Sequence, residues 1–378
     1  MKAEARKSSK EKKEKKKSKL QLAQDMAQEA IDKTNESIEK LGERTSELYT
    51  ALTDIQDSFD IIRNVPSDKK LQYEEIKQHR LNWKEQAEKI EKDYNNAAIK
   101  DAGAGVAGAG LGVAVVTMGP TVAMGVATTF GVASTGTAIS ALSGAAATNA
   151  ALAWLGGGAL AAGGGGMAAG EAFLTLAGPV GWAIAGVALM ASGLLFWKTK
   201  VEMNRVEDIF TLISERDVKS YELAIVELGE RITRIIDESK MLREANDKIQ
   251  SFGLDYDMMT EAQQYELGAY VNLMSSSTQL LINPIKGLAP KYTEEDFNNF
   301  VAYEGKTVDS KMCNDYKNLI VSMANFLYKI DLDDKDKKLL WKVLRKNKNM
   351  LKSLEMKKKE FGKDIFDAVI EALEYRYE

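Results

Sequence analysis

The chain has 378 residues, with 51 Lys and Arg against 55 Asp and Glu, one His and one Cys. A single His (His79) and a single Cys (Cys313) cannot assemble a Cys/His zinc centre or an intrachain disulfide. Any imidazole-dependent triad would fall to His79, which sits in a charged helical stretch.

Five Pro among abundant Ala, Leu, Glu and Lys favour long helices. Residues 1–19 carry nine Lys and one Arg against three Glu. No apolar core follows, so this tail does not read as a secretory signal peptide. It reads either as a solvated, disordered tail or as a patch for anionic lipid, with Lys12, Lys13, Lys15, Lys16 and Lys17 as headgroup ligands. Nucleic acid is not expected as a partner, because no aromatic residue interleaves with the lysines.

Residues 20–98 are expected to form an antiparallel helical hairpin. Ile31, Thr34, Ile38, Leu41, Thr45, Leu48, Leu52, Ile55, Phe59 and Ile62 alternate spacings of three and four, an a/d seam of more than four heptads. Asn64-Val65-Pro66 breaks the helix and Ser67 offers a new N-cap. A second seam follows through Tyr73, Ile76, Arg80, Trp83, Ala87, Ile90, Tyr94 and Ala97.

Residues 99–197 form an apolar block. Between Ala102 and Trp197, 96 residues hold one charged side chain, Glu171, and 22 of the 29 Gly. The stretches 102–132, 137–162 and 172–197 each reach the roughly 20 residues that a bilayer crossing requires. Gly119-Pro120 interrupts the first. Gly163 to Gly166 reads as the turn of a hairpin with arms 137–162 and 172–197. Its membrane-inserting residues would be Trp154, Leu155, Phe173, Leu174, Trp182, Ile184, Leu189, Leu194, Leu195, Phe196 and Trp197. Lys198 and Lys200 follow as a basic edge for headgroups. Glu171 would be a solvated turn residue or a gating acid. Flanking Lys and Arg balance on the two sides, so both flanks stay on one side and the number of crossings is even, two or four.

Small residues recur at helical spacing, with Gly108, Gly112, Gly119, Gly131, Gly181 and Gly186 as packing positions. Such rows let helix backbones approach closely in lipid. Gly and Ala contribute little transfer energy, so the block is only marginally apolar and could shelter against a soluble bundle before insertion.

A long bundle helix is expected over 198–252, its seam running through Tyr221, Ile225, Leu228, Ile232, Ile235, Ser239, Leu242 and Ile249. Residues 253–378 read as a further helical region, with helices near 260–282, 293–303, 308–330 and 334–376. The expected fold is therefore all-α: an elongated coiled-coil-like bundle carrying a Gly/Ala-rich, membrane-inserting helical hairpin.

Long amphipathic helices around an apolar Gly/Ala hairpin, over roughly 20–252, resemble the α-helical pore-forming toxins of the cytolysin A and haemolysin BL type. The resemblance implies a bundle that shelters an apolar segment, inserts it and oligomerises with copies or related helical subunits. The 136–170 segment is also similar to a Gly/Ala motif of bacterial membrane-associated proteins, which implies a bacterial origin and a membrane-associated block; the expected location is the membrane, entered from a soluble state. The hydrophobic hairpin of colicins is a second analogy. The alternative is a constitutive membrane-anchored coiled-coil scaffold that recruits a partner protein.

Other motifs do not hold. Gly103 to Gly108 matches GxGxxG but follows a charged helix, with no acid before Glu171. Gly305-Lys306-Thr307 lacks the first Gly of a phosphate loop. Asp331, Asp333, Asp334 and Asp336 lack the turn Gly of a calcium loop and fit a helix N-terminus better. Cys313 reads as a buried structural residue. No catalytic residue, cofactor, metal or small-molecule substrate is expected.

Overall fold

Ser18 starts the first helix through a reciprocal cap. The Gln21 N–H donates to Ser18 Oγ at 3.2 Å, and the Ser18 N–H donates to Gln21 Oε1 at 3.0 Å. The computed structural model describes residues 18–103, 120–130, 199–288, 291–346 and 358–377. Over these residues the fold is all-α: α1 (Lys19–Asp60), α2 (Ser67–Gly103), α3 (Pro120–Phe130), α4 (Lys200–Gln250), α5 (Glu261–Ile282), α6 (Glu294–Ala302), α7 (Ser310–Asp315), α8 (Lys317–Leu327), α9 (Asp334–Leu344) and α10 (Lys363–Tyr377). At 1.5 Å per residue, the 42 residues of α1 run about 63 Å and the 51 residues of α4 about 77 Å.

The first seam is the buried stripe of α1: from Thr34 to Ile62 every residue of the pattern is buried, while the side chain of Ile31 lies outside the described residues. The backbone of α1 lies closest to α4 and α3, and α2 stands further off. The large side chains of the second seam explain this, because they hold two helix backbones apart. Trp83 meets Tyr49 at 5.7 Å between ring centroids, and Tyr73 meets Phe59 at 5.6 Å. These two pairings run in opposite chain directions. Arg80 is buried in that interface, donating to Thr53 Oγ1, with its guanidinium 5.0 Å from the centre of the Tyr49 ring. Burial pulls its pKa below the ordinary arginine value.

The helices α1 and α4 run parallel. Leu20 shares a core with Val206, Ile209 and Phe210 at one end, and Ser58 Oγ donates to Asn246 Oδ1 at 2.6 Å near the other. Both helices then stop together. Asn64 turns at φ 60° and Gly253 at φ 91°. The Arg63 N–H donates to Leu254 O at 2.9 Å and the Tyr256 N–H to Arg63 O at 3.0 Å, a parallel bridge between Arg63 and Asp255. From there α2 and α5 return. The helix α5 is antiparallel to α4, with Lys248–Glu266 at 3.0 Å, Ser277 Oγ donating to Glu238 Oε2 at 2.6 Å, and Arg231 Nη1 donating to Leu280 O at 2.6 Å.

Two apolar cores result. One joins α1, α2, α4 and α5 around Leu48, Leu52, Trp83, Leu228 and Leu242. The second gathers α6 to α10 on the first turns of α4, around Phe210, Tyr292, Phe297, Phe326 and Phe361. Arg205 ties α4 to the start of α9, pairing with Asp336 Oδ1 at 2.7 Å and with Asp333.

Several expected boundaries move. Ser67 is the first residue of α2 rather than its cap, and Pro66 supplies the carbonyl that accepts the Lys70 N–H at 2.9 Å. The expected helix 308–330 divides at Tyr316, whose φ of −116° leaves the helical range, into α7 and α8. The expected helix 334–376 is interrupted after α9 and again before α10, with 347–357 outside the described residues. The turn before α10 buries Phe361, and the Trp341 indole N–H donates to Gly362 O at 3.1 Å.

Replacing the fully buried Trp83 with Ala is expected to cost about 3–5 kcal/mol. Leu22→Ala, at a half-exposed site on α1, is expected to stay within about 0.5 kcal/mol. Denaturant unfolding followed by circular dichroism checks both, and equal effects would contradict this division of the seams.

Candidate functional site

The helix α3 belongs to the apolar stretch 102–132 yet sits inside the charged bundle. Its 11 residues, PTVAMGVATTF, pack against α1, α2 and α5. Pro120 occupies the first helical position, where its missing N–H is harmless. Gly125, Ala127, Thr128 and Thr129 are buried. The approach to α1 is backbone on backbone. A β-carbon at Gly42 would overlap the Thr121 carbonyl, and one at Gly125 would overlap the Ile38 carbonyl. Thr128 Oγ1 lies 3.3 Å from Thr45 Oγ1, and the Ile285 N–H donates to Thr129 O at 2.6 Å, holding the last turn.

Thr45, Gly125, Ala127, Thr128 and Thr129 are buried at this seat, and Met124 packs half-buried against the same core. At about 16 Å, α3 is roughly half the length needed to cross a 30 Å hydrocarbon layer. Among the described residues, no helix is long and apolar enough to cross a membrane.

Ala127 is buried in this seat, and the closest approach is made by Gly125 with Gly42. The signal for Gly42 was available: it is the one Gly within α1, and it follows the seam residue Leu41. A mid-helix Gly costs about 1 kcal/mol against Ala, so its presence points to a backbone that must come close.

Most expected site residues lie outside the described residues: Gly108, Gly112, Gly119, Gly131, Gly181 and Gly186; the inserting set from Trp154 to Trp197; Glu171; and Lys12, Lys13, Lys15, Lys16, Lys17 and Lys198. Lys200 is described. It is exposed on the first turn of α4, after Thr199, whose Oγ1 accepts the Glu202 N–H at 3.2 Å. The two points where the described chain meets 131–198 are well separated. Thr128 is beside Thr45, whereas α4 starts level with the beginning of α1, about 40 Å away along the bundle axis.

The rejected motifs find structural roles. Lys306 Nζ donates to Tyr303 O at 2.7 Å, and Thr307 is held by the Glu371 carboxylate. Asp333 caps α9, accepting the Asp336 N–H at 2.8 Å, and that bond together with Arg205 holds its carboxyl below the usual range. Cys313 is buried, and desolvation pushes its thiol up, away from the reactive thiolate. His79 is half-buried on α2. Among the described residues, no group of three His, Cys, Asp or Glu is placed to hold a metal.

The chain matches no family model, no curated protein and no solved structure.

Gly42→Val is expected to lift α3 from its seat while the α1–α4 seam persists, at a cost of about 1–3 kcal/mol. Amide exchange should then rise in 120–130 and stay protected in 48–59. Unchanged protection of 120–130 would show that the close approach is not what seats α3.

Proposed function

We propose that this chain is a membrane-inserting, permeabilising helical protein that keeps part of its apolar block against a charged bundle and releases it into a bilayer, where small-residue faces drive oligomer formation. The observation that carries this reading is the seat of α3. Eleven residues of the apolar block lie among three amphipathic helices, seated backbone against backbone at Gly42 and Gly125. The hairpin 137–162 and 172–197 would follow it into the membrane. The Lys-rich tail would favour anionic lipid, since each basic residue near such a surface contributes about 1 kcal/mol. The start of α1, which follows that tail, and the start of α4, which follows the block, lie at the same end of the bundle. Tail and block are thereby attached where a single membrane surface could engage both.

Detergent-free protein added to dye-loaded vesicles tests this. Release is expected, stronger with anionic lipid, together with sedimentation of the protein with the vesicles. Ala185→Asp and Leu189→Lys should abolish release while leaving the helical signal and melting temperature unchanged. Variants that leak as fast as the parent would overturn the proposal. Binding without release, in a protein that needs detergent to be purified, would instead indicate the anchored scaffold.

A further inference from the structure

Asp217 lies on α4 between the two cores and is 3% exposed. Its Oδ1 accepts from Arg216 Nε at 2.9 Å and Nη2 at 2.8 Å, while Oδ2 is buried with no hydrogen-bond partner. The remaining arm of the same guanidinium, Nη1, donates to Phe326 O at 3.1 Å and to Tyr328 O. These carbonyls stand at the C-terminal end of α8, where helix carbonyls lack intrahelical partners and the dipole favours a cation. One side chain thus joins a buried carboxylate of α4 to the carbonyl end of α8.

Arg216 is the charged group that acts on Asp217. On α1, Glu29 and Lys33 are exposed and pair with each other at 2.7 Å. Beyond α8, Lys329 is exposed, with its ammonium 5.4 Å from the centre of the Tyr328 ring. On α9, Asp333 and Asp336 are engaged by Arg205.

We propose that Arg216 and Asp217 form a proton-linked clasp that holds α8 and the C-terminal helices on α4, and that this clasp is tighter when Asp217 carries its proton. The reason is the half-satisfied carboxylate. Burial penalises its charge more than Arg216 relieves it, and the group is pushed up to about 7. Opening the junction admits water and returns the carboxyl to its ordinary acidity, so opening releases a proton. Protonation weakens the bond to Arg216 but removes the larger cost of a desolvated charge. The sign follows: the closed form gains most below the ordinary carboxylate value, loses that gain as pH rises towards about 7, and is indifferent to pH above it.

Amide exchange on the full chain between pH 5 and 8, corrected for intrinsic rates, tests the clasp. Opening reported by 317–327 and 363–377 is expected to rise on the order of tenfold per pH unit from 5 to 7 and then level off. Control amides in 48–59 should show no such slope. Asp217→Asn should remove the slope and keep the protection that the parent has at pH 5. Arg216→Gln, which removes the group favouring the charged carboxylate, should carry the rise on past pH 7 before it levels off, and it provides an independent check if the Asn variant does not fold. A parent slope equal to that of Asp217→Asn, a slope shared with 48–59, or loosening on acidification would each overturn the proposal.

Discussion

The parallel contact between α1 and α4 is the constraint on which the rest of the structure rests. Neither helix could persist alone at this length with a continuous apolar stripe, since most helical stability in proteins comes from packing of the amphipathic face. Joined, they make a rod whose register is fixed near one end by Leu20 with Phe210 and near the other by Ser58 with Asn246. Every other element is placed by that rod. The α2 and α5 helices fold back along it, α3 fills the space they leave, and the C-terminal helices gather on the first turns of α4.

The rod is not uniform. At its upper part the seam is Leu, Ile and Phe. Lower down, α1 contributes Leu20 and then Ala23, Ala27 and Ala30, and α4 contributes Val206, Ile209, Phe210 and Ile213, followed by Ser214 and Asp217. Close backbone packing thus marks α3, whereas the junction of α4 with α8 combines an aromatic contact, Phe210 with Phe326 at 6.1 Å, with the buried Asp217. Under the function proposed above, α3 is the part of this packing that is given up.

Much of this was legible in the sequence. The alternating three and four spacing names the buried face of α1 and α4, because that periodicity is imposed by helix geometry whatever the partner. It does not name the partner: the backbone of α1 lies closest to α4, and α2 packs on it through Trp83 and Tyr73. The size of Trp83 and Tyr73 decided the matter, a three-dimensional effect absent from the period. Gly42 was readable as an anomaly within a good helix, but only its neighbour Gly125 gives it a meaning. Arg216 and Asp217 could not be read at all, because adjacent residues on a helix point apart and opposite charges there are normally solvated. The breaks at Tyr316 and before α10 follow from burying Cys313 and Phe361, a tertiary demand that overrides local helix preference.

The parallel order of α1 and α4 also has a consequence for how the chain is made. Parallel neighbours require a long crossover, and here it contains the whole apolar block. Synthesis runs from the N-terminus, so α1 and the block leave the ribosome before α4 and α5 exist. At ~5–20 residues per second, the stretch from Lys200 to Ile282 takes several seconds to appear, during which the seam of α1 lacks α4 and the seat of α3 lacks α5. The nascent chain is therefore at its most adhesive just after its least charged part emerges, and the interval before α4 arrives is when a chaperone or a nearby membrane competes for it.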